Sequence, residues 1–329
     1  MAAPQPSYTK ATHSSTYAAI NPTLPALSSA GKVVVITGAT GGIGRATALS
    51  FATSGPKALV LLGRRSDALA ETATVVRAAH GSLTVETHAV DLLDSDKLRR
   101  IFTNVAAAHG AVDVVIHAAG VLAPVVPLLD ADPATFLDGY ETTVVGTLVL
   151  AQALVLGNGV AEKKDTTLIN LTTAGVFFPP FPGMGAYVSS KMAAIKLLQA
   201  FGAENPHVRI HHVHPGFLDT AMSTQLAKTT KLPFSFDDST FLPLMSPHPT
   251  LDDEMLTYAS VSLPADFLVW IASPEAKFLN GKIVFAAWDV DELKSREKEI
   301  VGNSPLTGEL WVSYSGFPRY VGGHALGGR

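Results

Sequence analysis

VVVITGATGGIG (33–44) decides the fold. Five apolar or β-branched residues run into a glycine cluster, and residues 41–53 behind it have helical spacing. An apolar run without alternation predicts a strand covered on both faces. Glycines placed between such a strand and a helix let the backbone turn tightly and approach a phosphate. The helix N-terminus then offers that phosphate unpaired N–H groups and a positive dipole end. Gly38, Gly42 and Gly44, with Thr40 and Ile43 among them, are therefore read as a dinucleotide-binding turn.

The same alternation continues outward. Strands are predicted at ALVLLG (58–63), LTVETHAV (83–90), VDVVIHAAG (112–120), TTLINLT (166–172), HVRIHHV (207–213) and KIVFAAW (282–288). Helices are predicted at 67–80 behind Ser66 as cap, at 95–109, at 133–156 behind Asp132 as cap, and at 185–203. Regular β–α alternation implies a parallel, doubly wound α/β sheet of Rossmann type, with helices on both faces. One domain is expected over 31–300. A Ser/Thr/Ala/Pro-rich tail precedes it (1–30), and an extension with the aromatic stretch ELWVSYSGFPRY (309–320) follows (301–329). Residues 221–262 break the pattern and read as a substrate loop.

Of the 329 residues, 47% are apolar and 16% charged, which suffices for a large core and argues against disorder. A net charge of -4 offers no basic surface to nucleic acid. There is no cysteine, so thiolate chemistry and disulfides are excluded. MAAPQPSYTKATHSST (1–16) has no apolar run, and no uninterrupted apolar stretch is long enough for a membrane span. A cytoplasmic protein without membrane or nucleic-acid partners is the expectation.

The end of the second strand selects the dinucleotide. NAD sites place a carboxylate there for the ribose hydroxyls, whereas NADP sites need positive charge for the 2′-phosphate. Here stand Gly63-Arg64-Arg65, with no carboxylate before Asp67. A guanidinium meets a phosphate through two hydrogen bonds, so NADP(H) is the expected cofactor. Arg64 is the first candidate, with Arg65 and Arg45 assisting. Asp91 and Leu92 follow the third strand where adenine would lie, though Asp91 serves equally as a turn residue.

Together these residues resemble the short-chain dehydrogenase/reductase family, over about Lys32 to Ala286. TGATGGIG (37–44) is similar to its TGxxxGxG turn, HAAG (117–120) to its NNAG, YVSSK (187–191) to its YxxxK, and HPGFLDT (214–220) to its PG…T segment. The resemblance implies cofactor contacts from Ala118, Ala119, Gly120, Pro215, Gly216 and Thr220, with Thr220 on the nicotinamide carboxamide. FLNGKIVFAAWDVDEL (278–293) resembles the end of fungal members, many of them in secondary metabolism.

Tyr187 and Lys191 are four residues apart and share a helix face. An ammonium there is expected to lower the phenol pKa, making Tyr187 the acid toward a carbonyl or the base toward an alcohol. The resemblance also gives Lys191 the nicotinamide ribose. The family's substrate-oxygen serine falls on Thr173, with Thr172 the less favoured alternative, and its water-positioning asparagine falls on Thr143. These two departures leave open isomerase, dehydratase or cyclase chemistry on the same scaffold, or a non-catalytic NADPH-binding regulator. His117 and Ala118 replace both asparagines of NNAG, and His117 reads as a strand-end residue. His211, His212 and His214 do not share one strand face, so no metal site is expected.

Phe234, Phe236, Phe241, Leu242, Leu244, Met245 and Tyr258, together with Phe177, Phe178 and Phe181, supply apolar pocket walls, implying an apolar or aromatic small-molecule substrate. The resemblance further implies a homodimer or homotetramer built on the helices 133–156 and 185–203.

Overall fold

The computed structural model describes residues 7–159, 164–177, 182–216, 218, 220, 222, 260–302 and 308–311, and the backbone of 320–321 and 324–325. Seven parallel strands form its sheet: β1 (Val33–Thr37), β2 (Ala58–Gly63), β3 (Thr84–Ala89), β4 (Val114–His117), β5 (Thr166–Leu171), β6 (Val208–His214) and β7 (Ile283–Phe285). Their order across the sheet is β3-β2-β1-β4-β5-β6-β7. All neighbours pair in parallel. The winding direction reverses between β1 and β4. That reversal opens a crevice at the carboxyl ends of these two strands, the place where open α/β sheets bind ligands.

Alternate residues of the apolar strands feed two cores. Val34, Ile36, Leu59, Leu61 and Ile116 face Phe51 of α1 (Gly42–Ser54), Leu69 of α2 (Ser66–Ala79) and Phe267 and Trp270 of α7 (Ser262–Ala272). Val33, Val35, Val60 and Val115 face Phe102 of α3 (Ser95–His109), Leu154 of α5 (Gly146–Gly157) and Leu198 of α6 (Gly185–Glu204). Covering on both faces is what the unbroken apolar runs demanded.

Three departures from the sequence pattern have physical causes. The helix expected over 133–156 is two helices, α4 (Pro133–Tyr140) and α5, joined by a π turn over Glu141–Val145. Apolar periodicity is blind to one extra residue in a turn. Ser66 lies inside α2, whose cap position is Arg65 with no side-chain cap. α7 is buried along its whole length, so it shows no amphipathic stripe to read.

Residues 7–30 pack onto the domain. Ile20 and Leu27 are core residues, Thr12 bridges Trp288, and the Asp266 carboxylate accepts from both Thr16 and Ser50. Two short helices, α8 (Val290–Ser295) and α9 (Glu297–Val301), close this end. The indole of Trp311 lies over Lys282 Nζ at 4.4 Å, at the start of β7 and away from the strand ends that form the crevice. Tyr320–Val321 and His324–Ala325 pair as a short antiparallel ribbon.

The unit Pro133–Gly157 is, among the described residues, long and apolar enough to cross a bilayer. Here Leu150, Ala151 and Leu154 of its second half are buried against α3.

Candidate active site

The crevice is built first from backbone. Gly38 has φ 68°, and a Cβ there would lie 2.7 Å from Ala119 N, so the first turn and the end of β4 touch main chain to main chain. A Cβ on Gly44 would collide with the Gly38 carbonyl. By contrast, a Cβ on Gly41 meets nothing within 4 Å, and one on Gly42 meets only Thr220, at 3.5 Å. The cap position of α1 is Gly41, and it carries no side-chain hydrogen bond, so no cap side chain occupies the first N–H groups of the helix. An uncapped helix end above a turn that a side chain would fill fits a pyrophosphate.

At the end of β2, Arg64 and Arg65 are exposed and in no ion pair among the described residues. Arg45 is committed elsewhere: it donates to Thr72 Oγ1 at 3.0 Å and pairs with Glu71 at 3.1 Å. Asp91 is exposed and its carboxylate accepts the Leu93 N–H, a turn role. Leu92 is buried against Gly146. Ala118 packs on the α1 side of the core and Ala119 on the α5 side.

Side chains complete the site from α6 and β5. Lys191 is buried, and its Nζ donates to the Leu171 carbonyl at 3.0 Å. A Cβ on Gly120 would lie 3.6 Å from that Nζ. The Tyr187 ring centroid lies 5.9 Å from it. The expected lowering of the phenol pKa is corrected here. Burial pushes Tyr187 up to about 12 and Lys191 down to about 8, because at this separation desolvation outweighs attraction.

Thr173 Oγ1 accepts the Gly175 N–H at 3.2 Å, which fixes its rotamer and leaves its own proton to donate. Thr172 is buried, and its Oγ1 has no hydrogen-bond partner among the described residues. Thr143 sits in the π turn, buried, its Oγ1 likewise unpartnered. Single π turns inside α-helices often mark functional sites.

Pro215 and Gly216 follow β6. Thr220 reaches Gly42, and Met222 Cε lies 3.9 Å from where a Gly120 Cβ would be. Aromatic rings line the far side. Phe177 lies 6.4 Å from Phe285, His214 stands edge-on to Phe285 at 4.8 Å, and Phe285 stacks on Trp288 at 4.6 Å. Phe178, Phe181 and Asp219, like Phe234, Phe236, Phe241, Leu242, Leu244, Met245 and Tyr258 of the substrate loop, lie outside the described residues. His211 donates from Nδ1 to the Leu279 carbonyl, while His212 Nδ1 meets Asn170 Nδ2 on the opposite face. His214 and Phe285 were not singled out as wall residues from sequence. Strand ends carry no periodicity that would mark them.

The short chain dehydrogenase family profile matches residues 32–231. The short chain dehydrogenase mpl6 of Monascus purpureus is 29% identical over 309 residues, 91% of this chain and 94% of its own. The short chain dehydrogenase/reductase nsrO of Aspergillus novofumigatus is 29% identical over 88% of this chain and 91% of its own. Among solved structures, levodione reductase superposes with TM-score 0.67 at 21% identity, covering 78% of this chain and 95% of that one. Carveol dehydrogenase from Mycobacterium avium, in complex with NAD, gives TM-score 0.65 at 21% identity, covering 78% and 96%.

Proposed function

Because the chain belongs to the short chain dehydrogenase family, we propose that it is an NADP(H)-dependent oxidoreductase. Its reaction is reduction of a ketone or aldehyde on an apolar or aromatic small molecule, or oxidation of the matching alcohol. One observation carries this reading. The buried Lys191 ammonium lies beside Gly120 at the end of β4, within reach of the Tyr187 ring, so proton chemistry and the glycine crevice share one site.

The residues present fit the cofactor. The turn at 38–44 would hold the pyrophosphate, Arg64 and Arg65 the 2′-phosphate, and Lys191, Pro215, Gly216 and Thr220 the nicotinamide end. When bound, that cofactor supplies or accepts the hydride. The protein handles the proton. With its pKa pushed up, Tyr187 is protonated at neutral pH and is poised to donate to a carbonyl oxygen. Thr173 donates a second hydrogen bond to that oxygen. Lys191, charged below about pH 8, favours the phenolate that remains. The reductive direction is the one this protonation state serves. Phe177 and Phe285 favour an apolar or aromatic substrate.

Leu129, Leu137, Val145 and Leu156 are exposed along the α4–α5 side. They support a homodimer or homotetramer through that surface. Light scattering on the purified chain tests it, and a monomer at all concentrations would remove it.

NADPH-dependent reduction of aromatic ketones, compared with NADH, tests the main reading. A second reading keeps the scaffold but not the hydride, as isomerase, dehydratase or cyclase. The threonines at 143 and 173 favour it, and product formed without NADPH consumption would decide for it.

A further inference from the structure

Four buried polar groups in line connect the two halves of the crevice. Thr37 ends β1 and pairs laterally with His117 at the end of β4. His117 is 4% exposed, with Nδ1 3.0 Å from Thr37 Oγ1 and Nε2 3.0 Å from Thr147 Oγ1 on α5. Thr147 in turn donates to the Thr143 carbonyl inside the π turn. Thr37 Oγ1 also accepts the Ala119 N–H at 3.1 Å.

Proton counting fixes every direction in this line. A carbonyl only accepts, so the single Thr147 proton goes to Thr143. Toward His117, Thr147 must then accept, and Nε2 must carry hydrogen. Nδ1 is left bare and takes the Thr37 proton, while Thr37 takes the Ala119 N–H. The line is satisfied end to end with a neutral imidazole. Burial, and secondarily the Lys191 charge, push His117 down to about 3, in keeping with that state. A threonine hydroxyl bonded to the carbonyl four residues back also bends a helix, here at the irregular turn.

We propose that His117 is a positioning residue that ties the cofactor turn to the Thr143 turn. Its Nδ1 holds β1 and, through Thr37, the Ala119 amide. Its Nε2–H holds Thr147 and, through it, the Thr143 carbonyl. This rests on the reading of the chain as an NADPH-dependent oxidoreductase and deepens it: the HAAG histidine, read from sequence as a strand-end residue, joins two strands and a helix.

The test uses the full chain with Thr37→Val, Thr147→Val, His117→Leu and His117→Asn. Imidazole and amide resonances are followed by ¹⁵N NMR, and NADPH binding by fluorescence. His117 should show a protonated Nε2 and a bare Nδ1 from about pH 6 to about pH 9. Thr37→Val should weaken NADPH by about tenfold. Thr147→Val should leave NADPH affinity unchanged and lower kcat by about tenfold. His117→Leu should do both, and His117→Asn should recover NADPH affinity, as an acceptor for Thr37 is restored. A proton on Nδ1 would overturn the proposal. So would folded His117→Leu and Thr37→Val proteins with wild-type NADPH affinity. If the wild type binds NADPH but reduces no carbonyl, the affinity changes and the tautomer still support the tie, and it is the proposed reaction that falls. If the wild type binds no NADPH, the Ala119 and Thr143 amide signals decide: both shift in His117→Leu if the tie stands, and neither does if it fails.

Discussion

The half of the crevice on β1, β2 and β4 is made of main chain, and the half on the π turn, β5, β6, β7 and α6 is made of side chains. In the first, Gly38 and Gly44 permit contacts that any Cβ would forbid, and α1 has no side-chain cap. In the second, Tyr187, Lys191, Thr173 and the rings of Phe177 and Phe285 supply the surface. Backbone geometry tolerates no substitution, whereas a hydroxyl can be offered by more than one residue type. The departures at Thr143 and Thr173 fall in the second half, and those at His117 and Ala118, at the end of β4, fall in the first.

The sharpest way to separate the halves is Tyr187→Phe. Loss of the only proposed proton donor should cut carbonyl reduction by about 10³-fold while NADPH binding is unchanged. Steady-state rates beside a binding titration check this, and full activity would remove Tyr187 from its role. The reciprocal change is Gly44→Ala. Its methyl must displace the Gly38 carbonyl, so NADPH affinity should fall by about 10- to 100-fold, the range of overpacking penalties. Rates at saturating cofactor should recover, and a variant that binds normally would mean that the turn holds no phosphate.

Arg64→Gln sharpens the first half. Loss of a charged hydrogen bond to phosphate should weaken NADPH about tenfold and leave NADH unaffected. Equal losses for both cofactors would assign Arg64 a structural role. The smallest effect expected is a pH limb. Lys191 is charged below about 8 and Tyr187 protonated to about 12, so reduction should be level at neutral pH and fall as pH rises through about 8. A rate that instead rises above pH 8 would show that the phenolate is the working form.

The two halves also differ in how far the sequence reveals them. Gly38, Gly42 and Gly44 between a buried strand and a helix were legible because glycine is there for want of a Cβ, a requirement local to its own turn. Tyr187 and Lys191 were legible as a pair because four residues make one helical turn. Their protonation was misread, since desolvation depends on what the folded chain packs around them. The aromatic wall at His214 and Phe285 went unseen, because two strands far apart in sequence bring it together. The same holds for the line through His117. Thr37, His117 and Thr147 acquire meaning only once β1, β4 and α5 are side by side.

The π turn at Glu141–Val145 carries one residue more than an α-helical turn would need. It therefore acts as a length buffer. Deleting a single residue within it would let the chain continue as regular helix without rotating α5, so Leu150 and Leu154 would keep their places in the core. The molecule would lose the irregular carbonyl at Thr143 and keep its stability. A helix built this way can exchange its local chemistry through changes in chain length, and selection can act on that turn separately from the fold that carries it.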